Sequence, residues 1–390
     1  MKLNCTEPIT WAQLSNYAIQ ETDGCYRGEL NLVHSEYPAF RHGAMEVAST
    51  AYKDPYYVHA TDVKLIVVNN DRKLNSHNYK YFIISKDNNL LIDSNLHRKH
   101  WAHYFRFFSF IDDTNLIFNE SYLENEISLA DSDQLVFVGG HSHFGHWLAD
   151  HLPTILYSTI YPVTASKTQF LVSKLNSFQV ETITECKQSG IFAEIDVGEA
   201  YLTIFNIPRL SILFDLSICK SYELVRNALG IDSLIPDTSS GKISNYKRRV
   251  YLERGVQRGA NRLVNEQEVI EMLSGHNFEI LKPHEMSIAS KREIFVDVDL
   301  FVCPPASAYF NFYFFSNNSS HLIYLIHESA LHNTDAAVFG GSYYQSKDLF
   351  RTTLFPATQP TVNVFGRPVY DAPCFVDVEK LEHQLRTMLS

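Results

Sequence analysis

Between residues 139 and 153 the sequence runs GGHSHFGHWLADHLP. The apolar stretch QLVFVGG (134–140) ends in Gly139 and Gly140 and passes straight into a helical pattern. That arrangement leaves backbone N–H groups at a helix N-terminus, where an anion or oxyanion can be held. His143, His146 and Asp150 then recur at intervals of three and four, so one helix face carries two imidazoles and a carboxylate. Such a face can hold an acceptor hydroxyl and supply a general base, a role open to either Asp150 or His146, with Gly140, His143 and Trp147 beside it. The same spacing also suits histidines that cap, pack or sit in solvent. With a third ligand from elsewhere it would suit the metal site of a hydrolase.

Residues 251–266, YLERGVQRGANRLVNE, place Arg254, Arg258 and Arg262 between a strand pattern and a helix that opens at Asn265 and Glu266. Guanidinium forks match phosphate oxygens and keep their charge at any physiological pH, so this cluster suits a diphosphate. A solvated basic loop would have the same composition. Residues 302–311, VCPPASAYFN, put small residues between a strand and a helix. Backbone there can approach a ligand closely, and the helix N-terminus just beyond Ser307 again favours a phosphate, although packing alone would give the same pattern.

The elements that must position these groups follow from periodicity. RRVYLER (248–254), FEILKP (278–283), LFVCPP (300–305) and HLIYLIHE (321–328) read as strands. They alternate with helices over NEQEVIEMLSGH (265–276), with Asn265 as N-cap, SIASKREIFVDV (287–298) and AYFNFYFF (308–315). Alternation at this spacing predicts βαβ units and a parallel sheet that binds ligands at the carboxyl ends of its strands. Upstream, TQFLVS (168–173) and FAEIDV (192–197) read as strands, with a helix around 181–188 and a long helix over 143–162 kinked at Pro153. KLIVVNN (64–70) and YKYFIIS (79–85) suggest antiparallel strands in a first third that carries no recognisable chemistry.

A chain of 390 residues exceeds one ordinary core, and the Pro, Gly, Ser and Asp concentrated near its middle mark a linker. The expected division is an acceptor-side lobe at 1–231, a linker at 232–245 and a C-terminal lobe at 246–390 whose last helix reaches back to the N-terminal lobe. A net charge of -11 argues against nucleic acid as a partner, and any anionic ligand must be held by a local cluster. With no apolar run long enough for a membrane span and six cysteines without a C-x-x-C pair, the expectation is a cytoplasmic protein, peripheral at the inner membrane at most.

Together these segments resemble glycosyltransferase family 61. The match is carried by His146-Trp147, Asp150 and Leu152-Pro153, by Arg254, Arg258, Arg262, Asn265 and Glu266 in order, and by Pro304 and Asn311 of a loop mapped onto 303–311. His143 stands at the family's Asn position, and Cys303, Pro305 and Ala306 replace its Gly and His residues. Asp335 and VDVEKLEHQL (376–385) are similar to the family's closing acidic segment and helix. The resemblance implies a GT-B fold, α/β with two Rossmann-like lobes facing across a cleft. A nucleotide-sugar donor would lie on the C-terminal lobe, and an oligosaccharide or lipid-linked glycan acceptor on the N-terminal lobe. It further implies no metal and no cofactor beyond the nucleotide sugar, and a place in capsule or surface polysaccharide synthesis, with peripheral attachment to a membrane assembly complex. The alternatives are the metal-dependent hydrolase and a degenerate transferase that only binds glycan.

Overall fold

The computed structural model describes residues 2–4, 18–21, 55–69, 79–84, 90–93, 108–110, 115–118, 122–129, 134–140, 143–163, 168–214, 216, 218–234, 246–254, 263–304, 308–317, 319–327, 351–358 and 373–390. It is α/β with mixed and parallel sheets, and it divides into two compact units. The first holds 1–25, 54–183 and 187–216; the second holds 26–53, 184–186 and 217–390. Most of the linker stretch, 235–245, lies outside the described residues.

In the first unit, strands β1 (Lys2–Asn4), β6 (Phe108–Phe110) and β7 (Asn115–Phe118) form a small antiparallel sheet in the order β1-β7-β6. The main sheet runs β11-β10-β9-β12-β3-β4-β5. Its strands are β3 (Tyr56–Asn69), β4 (Tyr79–Ile84), β5 (Leu90–Asp93), β9 (Leu135–Gly139), β10 (Gln169–Ser173), β11 (Ile191–Ile195) and β12 (Leu202–Phe214), with β2 (Ala18–Glu21) paired to β3 and β8 (Leu123–Ser128) to β12. The β9, β10, β11 and β12 side is parallel, while β3 and β4 form the antiparallel pair expected from their alternation.

Strand β12 was not announced by the sequence because Pro208 sits in its middle. The proline falls where the strand changes partner along one edge, from β8 at residues 202–206 to β9 at residues 210–212. Its missing N–H is therefore tolerated in a central strand. On the other edge the ladder to β3 skips the same position, opposite Asp62, whose φ is 52°.

The expected kinked helix at 143–162 takes a different form. A turn α1 (Phe144–His146) runs into a π-helical segment Trp147–His151 and then into α2 (Leu152–Ile160), with Pro153 in the first turn of α2. The wider π register just ahead of the proline absorbs the hydrogen bond the proline cannot donate. Tyr57 of β3 donates to Ser158 Oγ at 2.7 Å and so fastens α2 to the sheet. Helix α3 occupies Ser177–Glu185, earlier than the sequence suggested.

In the second unit all five strands are parallel: β13 (Arg249–Leu252), β14 (Glu279–Leu281), β15 (Leu300–Cys303), β16 (His321–His327) and β17 (Arg351–Ala357). Their order is β14-β13-β15-β16-β17. Helix α6 (Glu266–Gly275) joins β13 to β14, α7 (Ile288–Phe295) joins β14 to β15, and α8 (Tyr309–Phe315) joins β15 to β16. Helices α4 (Ile218–Leu229) and α5 (Ile231–Leu234) precede the sheet, and α9 (Val378–Leu389) closes the chain.

Both faces of this sheet are covered, which is why β15 and the middle of β16 read as unbroken apolar runs. Tyr251, Leu300, Val302, Ile323 and Leu325 pack under Val269 and Leu273 of α6 and Leu381 and Leu385 of α9. The last helix thus lies on α6 of its own unit. The opposite face is aromatic: Phe301 meets Phe295 of α7 and Phe312 of α8 edge-on at 5.8 and 5.2 Å, and Tyr324 meets Tyr309 at 5.1 Å. Each buried ring contributes roughly 1.5–3 kcal/mol through area alone.

Arg226 of α4 fixes the end of α8. Only 4% exposed, it donates to the carbonyls of Tyr313 and Ser316 at 3.2 and 2.8 Å and pairs with Asp232 through Nε and Nη2. Arg226→Ala leaves those carbonyls and the Asp232 carboxylate without their donor, so chemical denaturation should read a loss of about 3 kcal/mol. Asp232→Asn, at a half-exposed position, should cost distinctly less.

Candidate functional site

Of the polar residues singled out in the sequence, His143, His146 and Asp150 follow the parallel strand β9 in the first unit, and Arg254 follows β13 in the second. In the first unit β9 ends at Gly139, which has φ +70°, and at Gly140. A Cβ at Gly140 would stand 2.4 Å from Ser173 Oγ and 2.5 Å from Ser173 Cβ at the end of β10, so only glycine lets the two strand ends close. Tyr81 seals this junction: its hydroxyl bonds Ser173 Oγ and donates to the Gly140 carbonyl at 3.4 Å. Burial pushes the Tyr81 phenol far above its usual range, so it remains a donor.

The face expected to carry His143, His146 and Asp150 is partly assembled. His143 is the N-cap residue, outside the helix, with its ring 5.6 Å from that of His146. His146 Nδ1 lies 2.8 Å from Asp150 Oδ2, and the two side chains are 56% and 55% exposed. A carboxylate on Nδ1 orients the ring and leaves Nε2 to exchange a proton, as a base and its orienter require. Among the described residues no group of three His, Cys, Asp or Glu side chains is arranged to hold a metal ion.

Trp147, expected on the acceptor side, is instead fully buried and donates from Nε1 to Thr182 Oγ1 of α3 at 3.0 Å. The π segment turns it into the core while His146 and Asp150 face out. A residue the motif reading passed over is His151. Its Nδ1 lies 2.8 Å from the Val138 carbonyl, and burial pulls its pKa down despite the opposing Asp150 carboxylate. Its signal in the sequence was weak, since it stands one residue off the His146–Asp150 spacing.

In the second unit the strand order, counted along the chain, is 2-1-3-4-5. Such a sheet reverses direction between its first and third strands, here β13 and β15, and opens a crevice beyond their carboxyl ends. Arg254 follows β13 and is half-buried; Pro304 follows β15 and is buried. Glu266 opens α6 and its Oε1 accepts from Tyr251 Oη at 2.8 Å and from the Arg254 backbone N–H at 3.5 Å. Burial, reinforced by this carboxylate, holds the Tyr251 phenol well above its ordinary pKa. Glu266 therefore ties the end of β13 to the start of α6 and sets the backbone at Arg254.

Asn265 differs from its expected role. Its side chain makes no capping bond; Nδ2 donates to the Val376 carbonyl at 2.8 Å and Oδ1 accepts from the Val376 N–H at 3.1 Å, clamping the segment that leads into α9. Asn311, 2% exposed on α8, donates from Nδ2 to the Ala308 carbonyl at 2.9 Å, while its Oδ1 is buried with no partner among the described residues. Arg258, Arg262 and Ser307 lie outside the described residues, as does Asp335.

An α/β chain with one mixed and one wholly parallel sheet is compatible with a Rossmann-like fold, in which ligands bind beyond the carboxyl ends of parallel strands. A family model described as Glycosyltransferase 61 matches residues 144–323, from the first residue of α1 into β16, so this stretch is similar to that family of glycosyltransferases. No curated protein matches the chain. No helix among the described residues is long and apolar enough to cross a membrane.

Two predictions follow from this geometry. Gly140→Ala forces Ser173 and the ends of β9 and β10 apart and should lower the melting temperature by the equivalent of about 1–3 kcal/mol. His59 and His151 both have pKa values lowered by burial from 6.5. The unfolded chain then binds more protons than the folded one, so their contribution is present above pH 6.5 and lost as pH falls through and below it. Denaturation midpoints should drop between neutral pH and pH ~5, and His151→Asn should flatten that slope.

Proposed function

We propose that this chain transfers a sugar from a nucleotide-activated donor to a glycan acceptor, with its two units serving as the two lobes of a GT-B enzyme. The observation that carries the reading is the reversal point between β13 and β15, with Arg254 at one strand end and Pro304 at the other. The donor's diphosphate lies in that crevice, where Arg254, with Arg258 and Arg262 on the following loop, neutralises the charge that develops as the glycosyl–phosphate bond breaks. Pro304 at the end of β15 is the neighbouring contact, with Ser307 three residues on in the sequence, and Glu266 holds the Arg254 backbone in place. Asn311 Oδ1 can only accept hydrogen bonds, so it suits a hydroxyl or N–H of the nucleoside or sugar and not a phosphate oxygen.

On the acceptor side the carboxyl end of β9 receives the incoming hydroxyl. Its proton passes to the His146–Asp150 pair as the oxygen attacks the anomeric carbon, and the nucleoside diphosphate leaves with the bonding electrons. Arginines and helix N-termini supply the charge stabilisation a divalent ion gives elsewhere, so transfer proceeds without metal. The acceptor is an oligosaccharide or lipid-linked glycan of capsule or surface polysaccharide. The chain works in the cytoplasm, where nucleotide sugars are made, at the inner face of the membrane when the acceptor is lipid-linked.

Calorimetry with UDP, GDP, CMP and their sugar conjugates, with and without EDTA, tests the reading. One nucleotide should bind independently of metal, and Arg254→Ala or Arg258→Ala should weaken it roughly 10- to 100-fold. Failure to bind any nucleotide would overturn the proposal and leave a chain that only binds glycan; activity abolished by EDTA would point to the hydrolase. Once a donor is found, Asp150→Asn and His146→Ala should each lower turnover by about 100-fold with donor affinity intact.

A further inference from the structure

The end of the second unit's sheet carries an exposed aromatic ring outside the arginine and histidine loci. Just beyond β17, Thr358 pairs antiparallel with Phe375, each N–H donating to the other's carbonyl at 2.8 Å, and Thr358 Oγ1 donates to the Phe375 carbonyl at 3.3 Å. On its other edge the same short strand pairs in parallel with the residues that lead into α6. Leu263 bridges Cys374, and the Val264 N–H donates to the Cys374 carbonyl at 2.8 Å. Asn265 extends that edge with its side chain, through its two bonds to Val376. Residues 374–376 are thus pinned along both edges, between the end of β17 and the start of α6.

Alternation then decides where each side chain goes. Leu263, Cys374 and Val376 are buried in the core beneath α6 and α9. Val264 and Phe375 turn the opposite way and are 48% and 40% exposed. The parallel register sets these two beside each other, and the antiparallel bridge puts the exposed Thr358 on the same face as Phe375. Five large apolar side chains stand exposed among the described residues, and two of them meet here.

Position and size select the occupant. Helix α6 follows β13, so the strand lies at the carboxyl end of the sheet, where such a sheet takes its ligand. Asn265, which holds the strand, is followed by Glu266, whose carboxylate accepts from the Arg254 backbone N–H. The mounting of the ring is therefore tied to the residue at the end of β13. One ring, one isopropyl group and one hydroxyl are far too little for a stable protein interface, which buries on the order of 1,200 Å² or more. They match a single flat heterocycle. A net charge of -11 disfavours a long polyanion as its source and leaves a mononucleotide.

We propose that Phe375 is the platform on which the nucleobase of the donor stacks, with Val264 against the edge of the base. Thr358 Oγ1, whose proton goes to the Phe375 carbonyl, keeps a lone pair for a ribose hydroxyl or a ring N–H. The proposal rests on the glycosyl-transfer reading and adds the nucleoside end to a donor whose diphosphate Arg254 holds. Because the backbone beneath the ring is fixed on both edges before the ligand arrives, little ordering cost opposes stacking.

Calorimetry on the full chain, with whichever of UDP, GDP and CMP binds, tests the proposal. Phe375→Ala and Phe375→Leu remove the ring and should weaken binding about tenfold, the share one stacked base contributes. Phe375→Tyr and Phe375→Trp keep a ring and should bind nearly as the wild type does. In Phe375→Trp the nucleotide should also quench the added indole emission, read as the difference from wild-type fluorescence. Should Phe375→Ala fail to fold, the contrast between Phe375→Leu and Phe375→Tyr and the quenching decide by themselves. Wild-type affinity in Phe375→Leu, equal weakening in all the variants, or no added quenching overturns the proposal and leaves the transferase reading standing. Self-association of the wild type that Phe375→Ala abolishes, with nucleotide affinity unchanged, overturns it in favour of a contact between copies. Failure of the wild type to bind any nucleotide overturns the transferase reading, and this proposal with it.

Discussion

A parallel sheet buried on both faces has nowhere to place chemistry except at the ends of its strands, and this constraint organises the chain. In the second unit α6 and α9 cover one face and the aromatic rings of α7 and α8 cover the other. The strand centres at 250–252, 300–303 and 322–325 are apolar, and Arg254 comes only after β13 has ended. The parallel half of the first unit's sheet obeys the same rule, with Gly139, Gly140 and the histidine-bearing helix beyond β9.

Few polar bonds hold these loci, and each connects a strand end to the element that follows or flanks it. Tyr251 and Glu266 join β13 to α6, Asn265 joins the start of α6 to the segment before α9, and His151 joins its helix back to β9. Trp147 ties the same helix to α3 through Thr182. A neutral bond of this kind contributes on the order of 1 kcal/mol, little beside the apolar burial around it. Their larger effect is geometric, since losing one buried partner leaves the other unsatisfied and moves the strand end by a fraction of an ångström.

The electrostatics are local. A chain with a net charge of -11 repels polyanions as a whole. Arg254, Arg258 and Arg262 nevertheless concentrate positive charge within nine residues of the sequence, and Arg254 follows β13 beside the sheet's reversal point.

By itself the sequence determined the alternating elements of the second unit, the antiparallel pair β3 and β4, and the two clusters of chemistry-bearing residues. These depend on period and composition, which are local properties. It also carried the resemblance to glycosyltransferase family 61, through His146-Trp147, Asp150 and the arginine series. What lay beyond it was decided by tertiary contacts. Pro208 hid β12, since only the change of partner from β8 to β9 makes a central proline acceptable. Pro153 signalled a kink, but the neighbouring core chose a π segment that buries Trp147 and presents His146 and Asp150. Asn265 looked like a cap until a segment 111 residues away supplied a better partner in Val376. His151 had no spacing to mark it, because a tautomer is set by the carbonyl that meets the ring, and that carbonyl belongs to another element.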